Sequence, residues 1–224
     1  MHTQPPVWLE IVGWVSLALA GISALWIVAD IYLGGRRQSM RVMEVVYPVT
    51  ALYWGPVALW FYRRHGRARA RQGADSPRWA VLARAVSHCG AGCTLGDIVA
   101  EWLVVALGLT IAGTALFADF AMDFAWAWAL GIVFQYFSIV PMRDDLGPFA
   151  GLWAAIKADT LSIVAFQIGL FAGMAIYQTL IWSHPLPKDT ASYWFLMQLS
   201  MVLGFFTALP VNAWLVRSGV KESM

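Results

Sequence analysis

The chain has 224 residues, 60% of them hydrophobic and only 12% charged. Soluble domains carry about 25% charged residues, so half that share, with a mean hydropathy of +0.64, excludes an ordinary soluble domain and reads as an integral membrane protein. The net charge of +2 says little, because the sign is unevenly spread along the chain. The 13 Trp suit lipid–water interfaces. Two Cys four positions apart are no disulfide framework, and the sequence carries no phosphate-cradling glycine pattern and no internal repeat.

A spanning helix needs about 20 mostly apolar residues. Residues 7–33 qualify first, and the segment lacks the basic flank of a signal peptide, so it reads as a retained helix. Residues 42–62 form a second apolar segment, interrupted by Pro48 and Pro56. It reads as a span, with a re-entrant hairpin as the rival. Residues 63–78 are a basic cytoplasmic linker, with Arg63, Arg64, Arg67, Arg69, Arg71 and Arg78. That run suits contact with anionic lipid and not nucleic acid. Residues 79–86 read as a short amphipathic helix lying at the interface. Further spans follow at 94–117, 120–140, 151–182 and 192–216, with turns at Arg143-Asp144-Asp145 and His184-Pro185. The expectation is an all-α bundle of six transmembrane helices, one domain over 1–224. Both termini are then cytoplasmic by the Lys/Arg bias of the loops. Arg36, Arg37 and Arg41 break that bias. A re-entrant second segment would remove the conflict and leave five spans. Gly169 and Gly173 are spaced for close helix packing, and offer a contact for a homo-oligomer.

The chemistry gathers at 87–101, Ser-His-Cys-Gly-Ala-Gly-Cys-Thr-Leu-Gly-Asp-Ile-Val-Ala-Glu. Gly90 and Gly92 suggest a turn that brings His88, Cys89 and Cys93 together as metal ligands, with Asp97 as a fourth. Thiolate and imidazole favour a soft cation, copper first and zinc second. Met197 and Met201, and Met40 and Met43, are paired at helical spacing as secondary soft donors. On a helix from 94 onward, Asp97 and Glu101 share a face, and Cys93 joins them if the helix reaches back one turn. Asp97, Glu101, Asp123, Lys157 and Asp159 are costly inside a membrane and mark a candidate charge or proton relay, in which Lys157 would balance a carboxylate. Three functions stay open: binding and transport of a soft metal; a thiol oxidoreductase cycling Cys89 and Cys93; and a proton-coupled carrier of a small solute or cation. Whether the chain is an enzyme is left open.

Ser-His-Cys-Gly-Ala-Gly-Cys-Thr-Leu-Gly-Asp, then Phe-Gln-Tyr-Phe-Ser-Ile-Val-Pro-Met-Arg, Lys-Ala-Asp-Thr-Leu-Ser and the closing Pro-Val-Asn-Ala-Trp-Leu-Val-Arg-Ser-Gly-Val-Lys-Glu-Ser-Met, resemble a bacterial family of small integral membrane proteins catalogued as a domain of unknown function. The resemblance implies a protein of the bacterial inner membrane. It singles out His88, Cys89, Cys93, Asp97, Glu101, Gln135, Lys157 and Asp159 as motif positions, and implies no reaction.

Overall fold

The computed structural model describes residues 5–68, 76–140, 147–181 and 185–221. The expected Arg143–Asp145 turn, His184 and residues 69–75 of the basic linker lie outside them. Seven α-helices follow in chain order: α1 Val7–Tyr32, α2 Met43–Trp54, α3 Pro56–Phe61, α4 Arg78–Leu107, α5 Ala115–Ile139, α6 Pro148–Ala175 and α7 Ala191–Arg217. Wider π turns extend α3 over Tyr62–Gly66 and α6 over Ile176–Ile181. Five of these helices (α1 and α4 to α7) are long and apolar enough to cross a membrane. The outward faces fit a lipid setting, with Trp8, Ile11, Trp14 and Leu25 exposed on α1.

The second apolar segment does not cross. α2 enters beside the end of α1, where Arg37 grips Glu44 through two hydrogen bonds of 2.7 and 2.8 Å. It stops at Gly55, whose φ of 52° and ψ of −130° suit a residue without Cβ. Gly55 lies against Ala20, midway along α1. The chain then turns back. The Tyr62 hydroxyl donates to Asp30 at 2.9 Å, near the end of α1, and Arg67 closes on the same carboxylate. The Tyr47 and Tyr62 rings meet edge to face at 5.2 Å. α2 and α3 are therefore two limbs of a hairpin that reaches half-depth. Pro56 at the first turn of α3 starts the return limb without losing a helical hydrogen bond. Five crossings carry residue 7 and residue 217 to opposite ends of the bundle. The expected six spans with both termini on one side give way to this arrangement.

The interfacial helix expected at 79–86 and the turn expected at 88–93 are also replaced. Both belong to α4, which runs unbroken for 30 residues from Pro77 at its N-cap. Its glycines are places of close approach. A methyl group at Gly92 would run into the backbone of Gly131, and one at Gly96 into that of Ala127, so α5 packs directly on the α4 backbone. Gly169 and Gly173 do the same for α6 on α7, against Gly204, Thr207 and Ser200. Both glycines thus serve helix packing within the chain. Asp119, expected in a connection, sits within α5. Glu10 of α1 caps α7 from outside. Its carboxylate accepts the Ala191 and Ser192 amides at 2.9 and 3.0 Å, as the positive end of a helix favours.

Candidate functional site

Unbroken helix through 88–101 places Cys89, Cys93, Asp97 and Glu101 four apart on one stripe, and all four side chains are buried. At about 1.5 Å per residue the stripe is about 18 Å long. Its upper neighbours come from α6 and its ends are met by residues flanking α7.

At one end stands Lys221, just beyond α7 and fully buried. It donates to Asp159 at 2.7 Å and to the Asn212 side-chain oxygen at 3.0 Å. The Asn212 amide donates to Ser162 at 2.7 Å, and the Ser162 hydroxyl to the Cys89 sulfur at 2.9 Å. Ammonium, carboxylate, amide, hydroxyl and thiol thus form one connected network. Burial pulls the Lys221 pKa down, but the neighbouring Asp159 charge outweighs it, and the net shift is upward.

At the other end stands Lys188, in the connection before α7. It is ion-paired with Glu101 and with Asp119, and its side chain keeps 13% of its surface open. Burial pulls its pKa down and the two carboxylates carry it above the usual lysine value. Asp123 lies within electrostatic reach of Asp97, Glu101 and Asp119. Neither Asp123 oxygen has a hydrogen-bond partner among the described residues, and nor does one oxygen of Asp97. The other Asp97 oxygen accepts from Gln167 at 2.9 Å. Four buried carboxylates here face one lysine.

Between the two ends lies an apolar layer around Cys93, with Phe166, Ile163 and Ala127 in the same core. The tip of the half-depth hairpin reaches it. Tyr53, one residue short of the α2 end, packs edge to face on Phe166, and a methyl group on Gly90 would strike its hydroxyl.

The other expected site residues are distributed differently. His88 is turned about 100° from Cys89 on the helix. It meets Ser138 of α5 at 2.6 Å, while Cys89 faces α6. Among the described residues no three His, Cys, Asp or Glu side chains gather where one ion could be held. The loop that would have wrapped His88, Cys89, Cys93 and Asp97 around a metal is helix. Both Cys are free, and side chains four apart on a helix keep their Cβ atoms about 5–6 Å apart, beyond the range of a relaxed disulfide. Lys157 is exposed, with its ammonium 5.7 Å from the centre of the Trp153 ring. It balances none of the buried carboxylates. That role falls to Lys188 and Lys221, which lie outside the apolar runs. Met197 and Met201 are buried in the same core as the thiols, Met43 is buried beside α1, and Met40 is half-buried. Gln135 is buried on α5, and its side-chain oxygen has no partner among the described residues.

No curated protein and no solved structure matches the chain. A family model does match, over residues 78–221, which carry α4 to α7, both lysines and every carboxylate of the stripe. By that match, which spans well over half of its length, the chain belongs to the family described as a domain of unknown function, DUF4396.

Proposed function

We propose that the protein is a multi-pass carrier of the bacterial inner membrane that exchanges protons for a small cation, with Asp123 as the exchanging group and Asp97, Glu101 and Asp119 as the negative surroundings that draw a proton or cation to it. The observation that carries this is the charge imbalance at that site. Carboxylates buried in a low-dielectric bundle are held neutral or are matched by positive charge. Lys188 matches one of the four. The remainder take protons or a cation, and Asp123, with both oxygens unpartnered among the described residues, is the group freest to trade one for the other. Lys188 keeps the site in touch with the exterior, while the layer around Cys93 separates it from the balanced Lys221 network. A site open to one side and closed toward the other is what alternating exchange requires.

Copper remains among the cargoes to be tried, because Cys89, Cys93, Met197 and Met201 all belong to the core below the site and offer soft donors. For orientation, every described Lys and Arg other than Lys188 lies in the half of the bundle that holds the start of α4 and the end of α7. The positive-inside rule puts that half in the cytoplasm. Residue 7 is then outside and residue 217 inside. A reporter enzyme active only outside the cytoplasm should work when fused after Ala112 and fail when fused after Arg217; the opposite pattern reverses the assignment.

The exchange is tested in vesicles loaded with a pH-sensitive dye. Wild-type protein should move protons against added sodium, potassium, manganese or copper(I). Asp123→Asn and Glu101→Gln should abolish the movement, and Cys89→Ser/Cys93→Ser should preserve it for a hard cation. If no cation moves protons faster than in empty vesicles, the exchange reading is wrong. Loss in the cysteine variant alone would shift the reading to a thiol-bound soft metal.

A further inference from the structure

Two openings on one flank of the bundle join into a single trough. The inner one, about 520 Å³, lies between the hairpin, α4 and α7, with Trp54, Phe61, Trp79 and Phe205 on its walls. The outer one, about 450 Å³, shares Leu82 and Ala213 with it and continues toward the start of α4, where Arg78 and Arg217 stand on either side. The walls are mostly apolar, with Ser87 and Ser76 among them, and two polar places stand out. Thr50, 6% exposed, lines the inner end, and its hydroxyl has no partner among the described residues. At the mouth, both arginines are exposed, and none of the ion pairs among the described residues uses either.

We infer that this trough is a binding site for an anionic phospholipid, with one acyl chain along the apolar part and the phosphate between Arg78 and Arg217. The size falls in the range that organic ligands fill, roughly 300–1,000 Å³. The polarity is graded as an amphiphile requires, apolar within and cationic at one mouth. Guanidinium groups bind phosphate oxygens through paired N–H donors, and an anionic headgroup brings net negative charge to the pair, where a zwitterionic one brings its own quaternary ammonium beside the phosphate. The arginines of the α1–α2 connection, Arg63, Arg64 and Arg67 lie at the same end, so the surrounding surface also attracts an anionic leaflet. The trough does not touch the carboxylate site, and the lipid site stands whether or not the chain exchanges cations.

The test uses the full chain in neutral detergent, with phosphatidylglycerol and phosphatidylcholine of the same acyl chains, read by native mass spectrometry. Wild type should retain phosphatidylglycerol over phosphatidylcholine by about tenfold, the size of one charge-assisted contact. Arg78→Gln/Arg217→Gln should erase that preference while the melting temperature stays the same. Ala213→Trp, which fills the trough, should lower retention of both lipids. Equal retention of the two lipids by wild type overturns the proposal. So does a preference that survives the arginine changes, or displacement of the lipid by glycerol phosphate at the same concentration, which would mark an anion site without a chain.

Discussion

The two ends of the α4 stripe are built from the same parts in different proportions. At the Lys221 end one ammonium meets one carboxylate, and Asn212, Ser162 and Cys89 carry the network on, while the second Asp159 oxygen has no hydrogen-bond partner among the described residues. At the Lys188 end one ammonium faces Glu101 and Asp119, with Asp97 and Asp123 close by. The first end is balanced in charge, one ammonium to one carboxylate. The second is short of positive charge, and only an added proton or cation completes it. The contrast separates a cluster balanced in charge from the one proposed to exchange ions.

The largest break in that contrast comes from Lys221→Met. It strands the Asp159 carboxylate in the bundle, and removing one member of a buried pair costs about 3–5 kcal/mol. Thermal unfolding in detergent should show it, and Lys221→Met/Asp159→Leu should recover most of the loss. If the single variant melts like wild type, the pair is not holding the fold. The opposite is expected at the other end. Asp123→Asn removes an uncompensated acid and should leave stability within about 1 kcal/mol of wild type or raise it, while proton exchange is lost. A large drop in melting temperature would make Asp123 structural and close the distinction between the two ends. The smallest effect is in alkali. The Lys188 pKa is raised on folding, so its contribution to stability is complete below the unfolded lysine value of about 10.4 and fades as pH climbs through the folded one. Melting temperature should fall as pH rises above about 10.4, less steeply in Lys188→Met. Identical slopes would mean that the ammonium gives no net support there.

Much of the stripe is legible in the sequence. Asp97 and Glu101 are four apart in an apolar run, and one more turn adds Cys93. The reading stops short of Cys89 because Gly90 and Gly92 resemble a turn. Inside a bundle the same glycines mark where α5 and other neighbours come closest, since little else drives helices together in lipid. The hairpin is only half legible. Pro48 and Pro56 signal an interruption, but the reversal depends on Gly55 meeting Ala20 and on Asp30 capturing Tyr62 and Arg67, contacts from far along the chain. The two lysines escape a search for charges within apolar runs because each sits just past a helix end and folds inward on its long stem. Charge balance could have found them. Five buried carboxylates need cations, and Lys157 cannot serve several faces at once.

The partnership of Lys221 with Asp159 spans 62 positions, and that of Lys188 with Glu101 spans 87. During synthesis each carboxylate is therefore made, and its helix delivered to the bilayer, well before its ammonium exists. α4, α5 and α6 must wait in the membrane with acids that lack their counter-charge. The arrival of α7 with a lysine at either side supplies the partners of Glu101, Asp119 and Asp159. Assembly of this bundle is thus timed by its last helix, which works as a clasp fastened at both ends after the other pieces are in place.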